Sequence, residues 1–206
     1  MEGTGEIKLT VALFVLLRKL MRQSVHSTLL VVDRFNRIAE VFDAPNRDLY
    51  AEGPLAEHNV AIIRAELSRL ITVLVASLNQ HEQELGPVLH TLCKEQPLLL
   101  QAAVWVIANR PSDNDFNVVD AWSCLGRVAR DPAGAQRVLE VLLLDLTLRT
   151  ALRDTAARGA PGDDKLRPLK DNAIVTLDGV LKAAITLPDA ERAELLALQQ
   201  QLAASR

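Results

Sequence analysis

The sequence predicts an all-α protein, a single bundle of about seven or eight helices spanning residues 1–206, and three observations carry that prediction. The first is composition. Apolar residues make up 49% of the chain but aromatics only 3%, so the core material is Leu, Val, Ala and Ile. Leu and Ala favour helix, because neither loses much rotamer freedom there, whereas a sandwich or barrel draws on Tyr, Phe, Trp and Thr. The second is period: between its breaks the chain repeats apolar residues at helical spacing and does not alternate. The third is punctuation. Pro and Gly clusters stand at Pro45, Gly53-Pro54, Gly86-Pro87, Pro111, Pro132, Pro161-Gly162, Pro168 and Pro188, where helices stop or start.

Those breaks place helices near 6–42, 55–80, 87–95, 97–109, 115–130, 133–157, 168–186 and 189–204. In the first, Leu13, Leu16, Leu17, Leu20, Val31, Phe35, Ile38 and Phe42 fall on one broad face at about 100° per residue. Arg18, Lys19, Arg22, His26 and Arg37 fall opposite. Val11 and Val15 also point to that opposite side, so the opening turns are apolar all round. Such a helix is buried centrally or has a partner on its outer face. The basic residues share their side with Asp33 and Glu40, which reads as a solvated face rather than an anion-binding stripe.

The second helix lines up Val60, Ile63, Leu67, Leu70, Ile71, Leu74 and Leu78, a stripe suited to antiparallel packing on the first. Segment 133–157 is apolar around most of its circumference and is expected at the middle of the core. Asp145 within it precedes Arg149 by four residues, the favourable order for a helical ion pair. The polar stretch 158–167 reads as a flexible loop before a C-terminal helical hairpin, 168–204. An alternative architecture comes from Leu100–Asn109 and Trp122–Ala129. These stretches are similar to the inner helices of armadillo-type repeats, which implies a short armadillo- or HEAT-like stack. They stand only about 20 residues apart, half the period such solenoids use, and no further copy follows.

Several functions lack their signatures. The net charge of −3, with acids and bases interspersed, and the scarcity of aromatics disfavour a nucleic-acid partner. None of the nine glycines falls in a phosphate-loop pattern. There is no CxxC or HExxH; the nearest metal-like spacing, His90-Thr-Leu-Cys93, would need ligands from elsewhere, so no metal and no cofactor is expected. Ser123-Cys124 has no elbow motif around it, and the two cysteines, Cys93 and Cys124, show no disulfide spacing. No residue is singled out as catalytic. The apolar run Leu9–Leu17 ends at Arg18-Lys19, too short to span a membrane and with its charges on the wrong side for a signal peptide. The reading is a cytoplasmic protein.

The remaining expectation is an interaction or scaffold module, binding another protein or a second copy of itself through exposed apolar helix faces. Its candidate contact residues are Leu9, Leu13, Leu16, Arg18 and Arg22 on the first helix and Leu195, Leu198 and Leu202 on the last. The alternatives are a helical enzyme or small-ligand binder, with a pocket lined by Trp105, Trp122, His90 and Cys93, and peripheral membrane association through residues 7–22.

Overall fold

The computed structural model describes residues 3–40, 56–109, 116–157, 166–183 and 187–205. Residues 110–115 and 158–165, where the sequence predicts breaks, lie outside the described residues. Among the described residues there are helices and no strands. Eleven helices lie among the described residues: α1 (Gly3–Gln23), α2 (Val25–Asp33), α3 (Phe35–Glu40), α4 (Ala56–Gln80), α5 (Glu82–Glu95), α6 (Leu98–Asn109), α7 (Phe116–Val128), α8 (Pro132–Leu144), α9 (Leu146–Ala157), α10 (Arg167–Ala183) and α11 (Asp189–Ala204).

The all-α class agrees with the sequence reading, but the expected count of seven or eight falls short. Periodicity passes unbroken through points where a side chain caps a new helix. Ser24 adopts extended backbone and its Oγ accepts the N–H of Ser27 at 3.1 Å, dividing the expected helix 6–42. Asp145 divides 133–157 in the same way, its Oδ1 accepting the N–H groups of Thr147 (2.9 Å) and Leu148 (3.1 Å). The expected Asp145–Arg149 pair therefore does not form. Arg149 reaches instead to Glu194 on α11, at 2.5 Å.

The packing follows a register. Arg18 on α1 donates to Glu66 on α4, 48 residues on, and Thr28 on α2 meets Ser77 on α4, 49 residues on. Thr72 and Asn79 on α4 donate to the carbonyls of Asp120 and Arg127 on α7, both 48 residues on. Asn172 and Thr176 on α10 donate to the carbonyls of Val119 and Trp122 on α7, at separations of 53 and 54 residues. A near-constant offset means that α1, α4, α7 and α10 lie side by side and run the same way. The expected antiparallel pairing of the first two long helices is thus corrected to a parallel one. The intervening helices follow suit, α5 packing on α8, α6 on α9, and α9 on α11. The result is a stack of short helical units. Its repeat joins helices about 50 residues apart in sequence, not the two neighbours Leu100–Asn109 and Trp122–Ala129.

The core centre also moves. On α4, flanked by α1 and α7, Leu67, Leu70, Ile71, Leu74, Val75 and Leu78 are all fully buried. Segment 133–157 buries Val138, Leu139, Leu142 and Leu148 but leaves Leu144 and Leu146 exposed at 83% and 73% on either side of the Asp145 break. Two buried polar groups are paired across helix contacts. Thr28 Oγ1 and Ser77 Oγ are 2.8 Å apart between α2 and α4. Lys170, almost fully buried, donates through Nζ to the carbonyl of Ser205 at 2.7 Å, a cation at the C-terminal end of α11.

Two glycines set the closest approaches. A Cβ on Gly134 would lie 2.2 Å from the Val128 carbonyl oxygen, and one on Gly179 would lie 2.4 Å from that of Ala129. The end of α7 is therefore clasped between the first turn of α8 and the C-terminal part of α10. Neither carbonyl is the tip of a flexible side chain, so the backbones themselves would have to part.

Two predictions follow from this packing. Gly134→Ala should lower unfolding stability by about 3 kcal/mol or more, whereas Gly86→Ala, whose Cβ would meet nothing nearer than Glu82 Cγ at 3.9 Å, should be neutral or stabilise by up to about 1 kcal/mol. Urea unfolding of the two variants beside the parent protein checks this. The second concerns Glu194. Its hydrogen bond from Arg153, reinforced by Arg149, holds its carboxyl below the ordinary value of 4.5. A depressed folded value stabilises above the unfolded pKa and is lost as pH falls through the folded one. Glu194→Gln should cost about 1 kcal/mol at pH 7, and the gap from the parent protein should close in unfolding curves taken near pH 3.

Candidate interaction surfaces

On α1 the side seated on α4 carries Ile7, Phe14 and Met21, at 7%, 1% and 2% exposure. These three recur every seven residues, two helical turns, and include the bulkiest apolar side chains of the helix. Their seating turns the rest of the helix. Leu13, Leu16 and Leu20, which the sequence groups with the core face, point outward at 49%, 52% and 38% exposure, and Leu9 joins them at 72%. The physical reason is that an all-round apolar helix has no unique inner face in its own sequence; the shape of the α4 surface selects one. Leu9, Leu13, Leu16 and Leu20 are spaced 4-3-4, the spacing of a helix–helix seam.

The cations of α1 separate as well. Arg18, expected on the outer face, is only 16% exposed and donates to Glu66 at 2.6 Å; Glu66 also pairs with Arg69. Arg18 thus belongs to the α1–α4 contact. Lys8, Lys19 and Arg22 remain exposed around the leucine stripe. At the other end of the chain Leu195, Leu198 and Leu202 are buried at 1%, 9% and 0%. The last helix spends its leucines on α9 and α10, leaving Leu196 as its exposed large apolar residue.

The four residues expected to share a pocket do not converge. Trp122 and Cys93 are buried in the core, and His90 lies on the exposed side of α5 with Nδ1 3.1 Å from Asp131 Oδ2. Trp105 alone of the four lines a groove of about 550 Å³ between α6, α8 and α9. Pro97, Leu100, Val104 and Val141 line it too, as do Arg137, Glu140 and Asp145. The guanidinium of Arg64 lies 4.5 Å from the Trp105 ring centroid. A shallower depression beside it is lined by Glu140, Val141, Leu144, Asp145 and Leu146. The exposed pair Leu144 and Leu146 was hidden in an apolar run. The available signal was Asp145 itself, an N-cap residue immediately ahead of a fresh helical run.

Both cysteines are free and buried, and burial pushes each thiol up to about 12, with Asp131 adding to the effect on Cys93. Cys124 Sγ points to the Leu99 carbonyl at 3.7 Å. A thiol held neutral in this way is a poor nucleophile. Among the described residues no three His, Cys, Asp or Glu side chains stand together as a metal site, and no helix is long and apolar enough to cross a membrane.

The cysteine environments predict that a neutral-pH thiol reagent leaves Cys93 and Cys124 unmodified in the native protein and labels both once denaturant is added, as intact-mass measurement would read. Rapid labelling of the native chain would contradict the packing described. No protein-family model matches this chain, and no curated protein or solved structure matches it.

Proposed function

We propose that the protein is a helical-stack interaction module, docking a helical partner or a second copy of itself against the outer face of α1. The observation that supports this most directly is the exposed 4-3-4 leucine stripe, Leu9, Leu13, Leu16 and Leu20. In a stack, each long helix is covered on one side by its predecessor and on the other by its successor. Here α4 lies between α1 and α7, and α7 between α4 and α10. At the far end α11 covers α10. On the stripe side of α1, no described helix supplies the cover. End units of helical stacks normally turn a polar face outward, because an apolar one invites association. Leu30 on α2 is also exposed, at 54%.

A second reading, a small-ligand site, is supported by the Trp105 groove, whose volume of about 550 Å³ falls in the range of ligand pockets. It predicts that an apolar ligand changes Trp105 fluorescence, a response that Trp105→Phe abolishes.

Sedimentation velocity over a concentration series tests the first reading. Leu13→Glu/Leu16→Glu, two changes at exposed positions, should leave the helical content intact. The double variant should weaken self-association, or binding to an identified partner, by about tenfold or more. A parent protein that stays monomeric and a partner bound equally well by the double variant would remove the stripe from consideration. Flotation of the parent protein with anionic vesicles, abolished by the same two changes, would assign the stripe to a membrane surface instead.

A further inference from the structure

We propose that the cavity at the α1–α2 break binds a phosphate-bearing anion. The cavity holds about 620 Å³ and lies where the C-terminal ends of α1, α4 and α7 meet the first turn of α2. Arg22, Arg127 and His81 line it together with Ser24, Ser77 and Gln80, and no Asp or Glu is among its lining residues. Several other arginines stand in acid-paired surroundings. Arg18, Arg69, Arg149 and Arg153 each pair with a carboxylate. Among the described residues Arg22 and Arg127 do not, and Nε of Arg127 is buried with no acceptor.

Both arginines stand in the last turns of their helices, where a cation is favoured by the helix dipole alone. Three of the carbonyls at these helix ends already have donors. Leu20 O receives Ser24 N, Leu78 O receives His81 N, and Arg127 O receives both Asn79 Nδ2 and Arg130 N. The arginines are therefore not needed to satisfy those carbonyl groups. Phosphate chemistry fits better than a single carboxylate for two reasons. Guanidinium groups form two-pronged hydrogen bonds to phosphate oxygens, and a phosphate has oxygens enough for two arginines and a hydroxyl at once. Ser24 and Val25 also place the N-terminus of α2 at the cavity wall, where helix N–H groups favour an anion.

Calorimetric titration of the full chain with pyrophosphate, at constant ionic strength, tests this. Saturable binding is expected, weakened about tenfold or more by Arg22→Gln and by Arg127→Gln, while Lys19→Gln, an equal charge change on the exposed side of α1, leaves the affinity within about twofold. Arg22 is exposed, so Arg22→Gln carries the test even if Arg127→Gln impairs folding. Absence of saturable binding in the millimolar range, or equal losses in Lys19→Gln and Arg22→Gln, overturns the proposal. Vesicles containing phosphatidic acid identify the source of the phosphate. Flotation that pyrophosphate competes away and Arg22→Gln abolishes assigns it to a lipid headgroup, and pyrophosphate binding without flotation assigns it to a soluble ligand.

Discussion

The clasp around the C-terminal end of α7 governs how the rest of the stack is assembled. Val128 and Ala129 present their carbonyl groups to Gly134 and Gly179, at distances that no Cβ could occupy. The approach draws α8 across the end of α7 and sets α10 beside it, with Gly126 adding a third close point against Val175 and Thr176. With those helices seated, α9 is carried to α6 and α11 to both α9 and α10. Small residues are what allow it, because interior packing density leaves no slack into which a displaced backbone could move. The same close contact lets Thr176 and Asn172 reach carbonyls of α7, so that side-chain hydrogen bonds reinforce the register.

A stack built this way has two ends, and they are finished differently. The last helix packs back on its neighbours: α11 buries Leu195, Leu198 and Leu202, Glu194 ties it to Arg149 and Arg153, and the carbonyl of Ser205 receives the buried Lys170. On α1, among the described residues, leucines face outward with cations beside them. Apolar area that neighbours would normally remove from water is thus left where a partner's helix would gain by covering it. The Trp105 groove is of another kind, a depression produced where the Asp145 break lets α9 leave the line of α8.

Arginine placement separates structural from available charge. Arg18, although on the helix with the open face, is committed to Glu66 and joins α1 to α4. One turn later Arg22 meets no carboxylate and stands with Arg127 at a cavity wall. Their linear spacing, over a hundred residues, holds no sign of this. The parallel register of α1, α4 and α7 brings the last turns of all three helices to one edge and the two cations with them.

Composition and helical periodicity were enough to determine that the chain is all-α, where most helices lie, and that Ile63 through Leu78 form a buried stripe. Each of these depends on local preference or on one helix's own pattern. The sequence also showed that the opening helix is too apolar for water on every side. Which side faces out was decided only in the tertiary structure, because Ile7, Phe14 and Met21 compete with Leu9, Leu13, Leu16 and Leu20 for the same contact, and the shape of α4 selects between them. The breaks at Ser24 and Asp145 likewise depend on whether a side chain finds the amides ahead of it. The parallel stacking at offsets near 50 residues has no counterpart in residue identity, since any well-shaped apolar face can fill the position; close approach at glycines fixes it only where α7 meets α8 and α10.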